Sequence, residues 1–199
     1  KRKMKVIAAT KNPGKIREIM EILSPLGIEA VSQGDAGIDV DIEETGSTFE
    51  ENSLIKAKAV ALFCDCPVMA DDSGLCVDAL DGRPGVLGAG YAGEDANDDD
   101  RMNKLLGEMK GIENRNAKFV SVVTFVFPDG RVLSARGEVE GYIMAEPIGT
   151  NGFGYDPIFF CNELGKGFAQ ASSEEKNNVS HRGRALRNLY KKLEKELKK

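Results

Sequence analysis

The chain has 199 residues, 41% hydrophobic and 30% charged, with a formal net charge of −5. That is enough chain for one domain, or one two-lobed domain, whose core needs no staples. The acidic balance argues against a nucleic-acid polymer as partner, and no apolar run approaches the ~20 residues of a membrane span.

Cys64, Cys66, Cys76 and Cys161 form no Cys-x-x-Cys, and His181 is the only histidine. A zinc site is therefore poorly supported, and a reducing, cytoplasmic setting is expected. The start is basic, but the strand that follows is too short for a signal-peptide core, and residues 1–3 are expected as an extension ahead of a start near Met4.

Lys5 to Ala9 has the length and flanks of a buried strand. The polar turn Thr10-Lys11-Asn12-Pro13-Gly14-Lys15 follows, and then Ile16, Ile19, Met20, Leu23 and Leu26 recur at helical spacing. A helix starting here turns its free N–H groups and positive dipole end toward the turn, where Lys11, Lys15 and Arg17 add charge. That suits a phosphate, and suits equally an ordinary strand-to-helix connection with solvated lysines. No Walker A pattern is present.

Glu29 to Ser32 is a second strand candidate. The acidic stretch from Gly34 to Gly46, with Asp39, Asp41, Glu43 and Glu44, reads as a solvated loop. Thr48-Phe49-Glu50-Glu51 fits a capping box, and the helix behind it is expected to face Leu54, Ile55, Ala59, Leu62 and Phe63 inward. Asn52 and Lys56 share a face four residues apart, as an exposed pair or as an amide and a cation aimed at an anion.

Pro67 to Ala70 is an apolar run that meets Asp71-Asp72-Ser73-Gly74. The expectation is a strand end delivering two carboxylates into a turn at Gly74. Neighbouring side chains on an extended segment point to opposite sides, so the two acids cannot face one ligand without a bend. Residues 81–93 hold five glycines and read as a loop. A helix is expected from about Asn97 to Met109 with Met102, Leu105, Leu106 and Met109 as its stripe.

Ala117 to Phe127 carries the strongest strand signal; Asp129-Gly130 is a hairpin turn, and Val132 to Val139 returns, extended by Gly141-Tyr142-Ile143. In Gly149 to Pro157, three glycines flank Phe153, which reads either as a platform for a flat ligand or as a core anchor. Pro157 to Phe160 is expected as a buried strand. A helix opens at Ser172, with a break expected at Asn177-Asn178-Val179, and a final helix carries Leu186, Leu189, Leu193 and Leu197 as its stripe. Lys176, His181 and Arg182 gather donors around that junction.

Five ordered blocks now stand out: Thr10 to Lys15; Glu43 to Gly46 with Thr48 to Asn52; Ala70 to Leu75; Gly152 to Pro157; and Ser180 to Gly183. Together, from about Lys5 to Leu193, they resemble the inosine triphosphate pyrophosphatase family of the Ham1/RdgB type (XTP/dITP diphosphatases). The resemblance implies an α/β fold with a long mixed central sheet flanked by helices, in two lobes around an active-site cleft. It implies hydrolysis of non-canonical purine nucleoside triphosphates to the monophosphate and pyrophosphate, with magnesium (Mg2+) as cofactor, in a homodimer. By position it implies that Thr10, Lys11, Asn12, Pro13, Gly14, Lys15 and Lys56 hold phosphate, with Asn12 and Lys15 as direct contacts. Asp72 resembles the general base and a metal-side carboxylate, with Ser73 on substrate and Glu44, or Glu43, as the other metal ligand. Phe153 would stack on the base beside Gly154, Tyr155 and Asp156, and Lys176, His181 and Arg182 would read its edge. The family commonly carries a serine and an arginine where this chain has Gly88 and Gly90, which puts the order of that loop in question. A nucleotide-binding or sensing module with little turnover is the alternative. An aspartyl-phosphate phosphatase is disfavoured, because Thr10-Lys11-Asn12 stands where Asp-x-Asp would be needed.

Overall fold

The computed structural model describes residues 3–199; residues 1 and 2, part of the expected extension ahead of Met4, lie outside the described residues. In chain order the strands are β1 (Met4–Ala8), β2 (Ile28–Ser32), β3 (Val68–Val77), β4 (Asn116–Val126), β5 (Val132–Ile143), β6 (Phe159–Cys161) and β7 (Lys166–Gly167). The helices are α1 (Pro13–Leu23), α2 (Phe49–Ala61), α3 (Asp98–Glu108), α4 (Ser173–Val179) and α5 (His181–Leu197). The strands form one seven-stranded sheet in the order β2-β1-β3-β4-β5-β6-β7. Strand β1 runs parallel to β2 and β3, whereas β6 is antiparallel to both β5 and β7. The expected mixed sheet with flanking helices is therefore present.

The chain divides into two compact units, one built from residues up to Asp72 with Ser121–Gly137 and His181–Lys199, the other from Ser73–Val120 and Glu138–Ser180. In the first unit, Val6, Ala8, Met69, Val123 and Phe125 meet Ile19, Ile22 and Leu23 of α1 and Ala185, Leu186, Leu189 and Leu193 of α5. A second group, Ile7, Ala9, Val68, Ala70 and Val126 with Ala57 and Val60 of α2, is also buried there. The second unit buries Leu75, Val77, Phe119, Val139, Phe159 and Phe168 against Met102 and Leu105 of α3 and Met109 just after it. Each large apolar side chain so buried contributes roughly 1.5–3 kcal/mol.

Several expectations need correction. The inward face of α2 is Phe49, Asn52, Ser53, Ala57 and Val60, and Leu54, Ile55 and Ala59 are only half-buried. Ser53 and Ala57 are small, so the helix sits close to its neighbours, with the Ser53 hydroxyl 2.6 Å from that of Thr124. Leu62 and Phe63 follow the last residue of α2 and are 85% and 61% exposed. The Thr48 cap is half the expected box: Thr48 Oγ1 accepts from Glu51 N–H, but the Glu51 carboxylate takes the Ser47 N–H instead of that of Thr48.

Asp71-Asp72-Ser73-Gly74 is no turn, because β3 runs through it to Val77. Tertiary partners for both acids outweigh the local turn preference of Asp, Ser and Gly. Asn177-Asn178-Val179 does not interrupt α4; the break is at Ser180, whose backbone is extended. Asp156–Ile158 is a 3₁₀ turn, so the strand begins only at Phe159. Leu197, at the far end of α5, is 61% exposed, beyond the reach of the core.

Candidate functional site

In the first unit, Asn12 caps α1, its Oδ1 accepting from Gly14 N–H at 2.9 Å and Lys15 N–H at 3.2 Å. Pro13 opens the helix, where its missing N–H costs nothing. Asn12 thus occupies two of the donors expected to face a phosphate, and the Asn12 N–H itself donates to Thr10 Oγ1. Lys11 is exposed and pairs with Asp41 at 2.6 Å and Asp39 at 3.4 Å, both on the solvated acidic loop. A groove of about 260 Å³ is lined by Thr10, Lys11, Asn12, Lys15, Glu44 and Lys56, together with Gln33 and Asp41.

The two adjacent acids of β3 take different neighbours, as strand alternation requires. Asp71 is buried; its Oδ2 accepts from Ser121 Oγ and from Arg182 Nε at 3.2 Å, and Lys15 Nζ lies 3.1 Å from its Oδ1. Burial alone would raise its pKa, but Arg182, Lys15 and the Ser121 hydroxyl outweigh that and hold it well below the usual carboxylate range. Arg182, only 2% exposed, also donates through Nη1 to Glu18. Burial pulls the Lys15 ammonium below its ordinary pKa, and Asp71 counters it.

Asp72 has weaker support. Lys56 Nζ is 3.7 Å from its Oδ1, and its buried Oδ2 has no hydrogen-bond partner among the described residues. Burial pushes its pKa up to about 6; Lys56 opposes this and Glu44 adds to it. Lys56 Nζ also contacts Glu44 Oε1 at 2.9 Å and the Asp71 carbonyl at 2.6 Å. Asn52 is buried, and its Oδ1 accepts the Gly46 N–H at 2.8 Å.

Ser73, the next residue of β3, belongs to the second unit. There, Phe153 is half-buried, with Lys176 Nζ 4.8 Å from its ring centroid. Asp156 is buried, accepts the Phe153 N–H at 3.1 Å and pairs with Lys176 at 2.6 Å. Gly152 has φ +73°, and a Cβ there would lie 2.1 Å from Asp156 Oδ2, so only glycine fits. Gly154 N–H donates to Asp98. The Tyr155 hydroxyl is buried without a hydrogen-bond partner among the described residues, and burial pushes its pKa up to about 12.

The structure thus brings Thr10, Lys11, Asn12, Lys15, Glu44 and Lys56 to one groove. It brings Phe153, Asp156 and Lys176 together in the second unit. His181 is buried at the start of α5, and Arg182 is engaged by Glu18 and Asp71. Sequence reasoning missed Glu18, Ser121 and Asp98. The available signal for Glu18 was a charged residue on the buried side of α1, beside Ile19 and Ile22.

The Ham1 family model matches residues 6–192. The dITP/XTP pyrophosphatase of Bacillus subtilis is 49% identical over 190 residues, covering 94% of this chain and 96% of the relative. That of Treponema denticola is 47% identical over 186 residues, covering 92% and 95%. Among solved structures, the Ham1 protein of Staphylococcus aureus shares 41% identity with a TM-score of 0.84, covering 96% of this chain and 99% of that one. A Ham1 protein from Coxiella burnetii gives 39% and 0.85, with the same coverage. With the matched span running from within β1 to within α5 and the fold shared along nearly its whole length, this chain belongs to the Ham1 family.

Proposed function

We propose that this chain hydrolyses non-canonical purine nucleoside triphosphates, those of inosine, deoxyinosine and xanthosine, to the monophosphate and pyrophosphate. The observation that carries the reading is Asp72, a buried carboxylate with one unpaired oxygen and a pKa near 6, in the same unit as a lysine-lined groove. Relatives of 47–49% identity named dITP/XTP pyrophosphatase support it.

The groove's Lys11, Lys15 and Lys56 would take the triphosphate, whose charge they offset. Asp72 and Glu44 would hold magnesium. The described residues contain no group of three or more His, Cys, Asp or Glu set for a metal. One or two carboxylates suffice for this ion, because substrate phosphates and water complete its shell. The unpaired Asp72 Oδ2 and the Glu44 carboxylate fit that donor set. When bound, magnesium neutralises charge on the phosphates.

Water attacks the α-phosphorus, its proton passes to the Asp72 carboxylate oxygen that does not hold the metal, and pyrophosphate departs with its charge compensated by the lysines. In the metal-free protein burial raises this carboxyl to about 6, so it is mostly ionised at neutral pH and able to act as a base. Asp71, locked in its anionic form, takes no proton; it holds Lys15 in place. In the second unit, Phe153 offers a face for the base, and Lys176 offers a donor to a 6-oxo group, which an adenine amine would leave unpaired.

We further read the protein as a cytoplasmic homodimer. Its four cysteines are free thiols, and the exposed Leu62 and Phe63 offer apolar surface for self-contact. No helix of the described residues is long and apolar enough to cross a membrane.

The test is release of pyrophosphate from inosine, deoxyinosine and xanthosine triphosphates, with and without magnesium, beside guanosine and adenosine triphosphates. Magnesium-dependent turnover of the first three above the other two is expected. Equal, negligible turnover throughout would overturn the enzyme reading.

A further inference from the structure

One side of α3 grips two separate stretches of the second unit. Arg101 donates through Nε and Nη2 to the Ala89 carbonyl, at 3.3 and 3.2 Å. Lys104 Nζ donates to the Tyr91 carbonyl at 2.6 Å. The Tyr91 hydroxyl donates to Glu108, which also accepts from Arg83 Nη2 at 3.0 Å. Residues three, four and seven apart share one side of a helix. The stretch from Arg83 to Tyr91 is therefore held from α3, while Gly88 and Gly90 add no side chain and have open space around them.

One turn earlier on the same helix, Asp98 Oδ2 accepts the Gly154 N–H at 3.2 Å, and its Oδ1 takes Arg101 Nη1 at 3.3 Å. Gly154 sits at φ +61°, directly after Phe153. The Phe153 main chain thus has two carboxylate anchors, Asp156 on its own N–H and Asp98 on the next one. Arg101 touches both the glycine-rich stretch and Asp98.

We propose that Asp98 and Arg101 are positioning residues for the nucleobase, coupling the Gly85–Gly90 stretch to the main chain that carries Phe153. The inference rests on reading Phe153 as the platform for the base. Without the Asp98 carboxylate, the Gly154 N–H turns to water and the backbone after Phe153 gains freedom that a bound base must remove. The phosphate groove has no residue in this network.

The experiment compares wild type, Asp98→Ala, Asp98→Asn and Arg101→Ala. Each is assayed for inosine triphosphate turnover, and for binding of inosine monophosphate and of inorganic pyrophosphate. Loss of one charge-assisted hydrogen bond at a partly exposed site predicts that Asp98→Ala raises KM and the monophosphate Kd about fivefold. Its kcat stays within about twofold and its pyrophosphate affinity is unchanged. Asp98→Asn, whose one amide oxygen can take the place of Oδ2 and accept the Gly154 N–H, recovers most of the loss, and Arg101→Ala shows the same split as Asp98→Ala, at smaller size. Wild-type monophosphate affinity in Asp98→Ala overturns the inference alone. So does an equal loss of monophosphate and pyrophosphate affinity, which marks a general fold defect. A wild-type chain that binds pyrophosphate but not inosine monophosphate overturns the base-platform reading, and the inference with it.

Discussion

Replacing Asp72 by Asn should make the protein inactive and more stable. Folding raises the Asp72 carboxyl from its ordinary 3.8 to about 6. An acid whose folded pKa is raised costs stability when ionised. That cost is absent below about pH 4, grows as pH rises toward 6, and is complete above 6. A shift of about two units corresponds to roughly 3 kcal/mol at neutral pH. Solvent at the partly exposed edge of the site and the loss of the Lys56 contact reduce that to about 1–3 kcal/mol. Asn removes the charge at nearly constant shape. Urea unfolding of wild type and Asp72→Asn in chelator, at pH 5, 6 and 7.5, reads the difference, and groups common to both proteins cancel. The variant should gain stability at pH 7.5, by an amount that shrinks at pH 5, while pyrophosphate release falls by at least a hundredfold, of the order expected for loss of a general base. A variant less stable at pH 7.5, or a gap independent of pH, would refute the account of Asp72 as a burial-strained carboxylate.

Asp71→Asn should do the opposite. It leaves Arg182 and Lys15 with less counter-charge in a buried setting, so a loss of about 3–5 kcal/mol in unfolding free energy is expected; a loss under 1 kcal/mol would show that Glu18 alone satisfies Arg182. Phe153→Ala should weaken inosine triphosphate binding by about 1–3 kcal/mol with little change in thermal midpoint. Unchanged affinity with a lowered midpoint would instead mark Phe153 as a core anchor.

The sheet and the order of helices were legible because period and turn chemistry are local. The run around Phe125, the Asp129-Gly130 turn and the Leu186-Leu189-Leu193 stripe announce themselves without tertiary information. The errors fall where tertiary partners override local preference. Asp71 and Asp72 look like turn residues, but buried cations on one side and Lys56 on the other let the strand pass straight through them. Leu62 and Phe63 look like core, but the helix has ended before them. The residues of the site were visible as ordered blocks, whereas the partners Glu18 and Asp98 were not. A carboxylate on a helix reads as solvated surface until the fold brings an arginine or a main-chain N–H to it.

The adjacent acids on β3 also set a rule for how this gene can drift. Two opposite tracks of a strand are read off by residue parity, so a one-residue insertion or deletion between Val68 and Asp71 would exchange them. The acid meant to stay ionised would face Lys56 and Glu44, and the proton acceptor would be delivered to the buried arginine. No single substitution repairs that exchange. Exposed loops away from the site tolerate changes in length, but this ten-residue strand does not tolerate them ahead of its two acids.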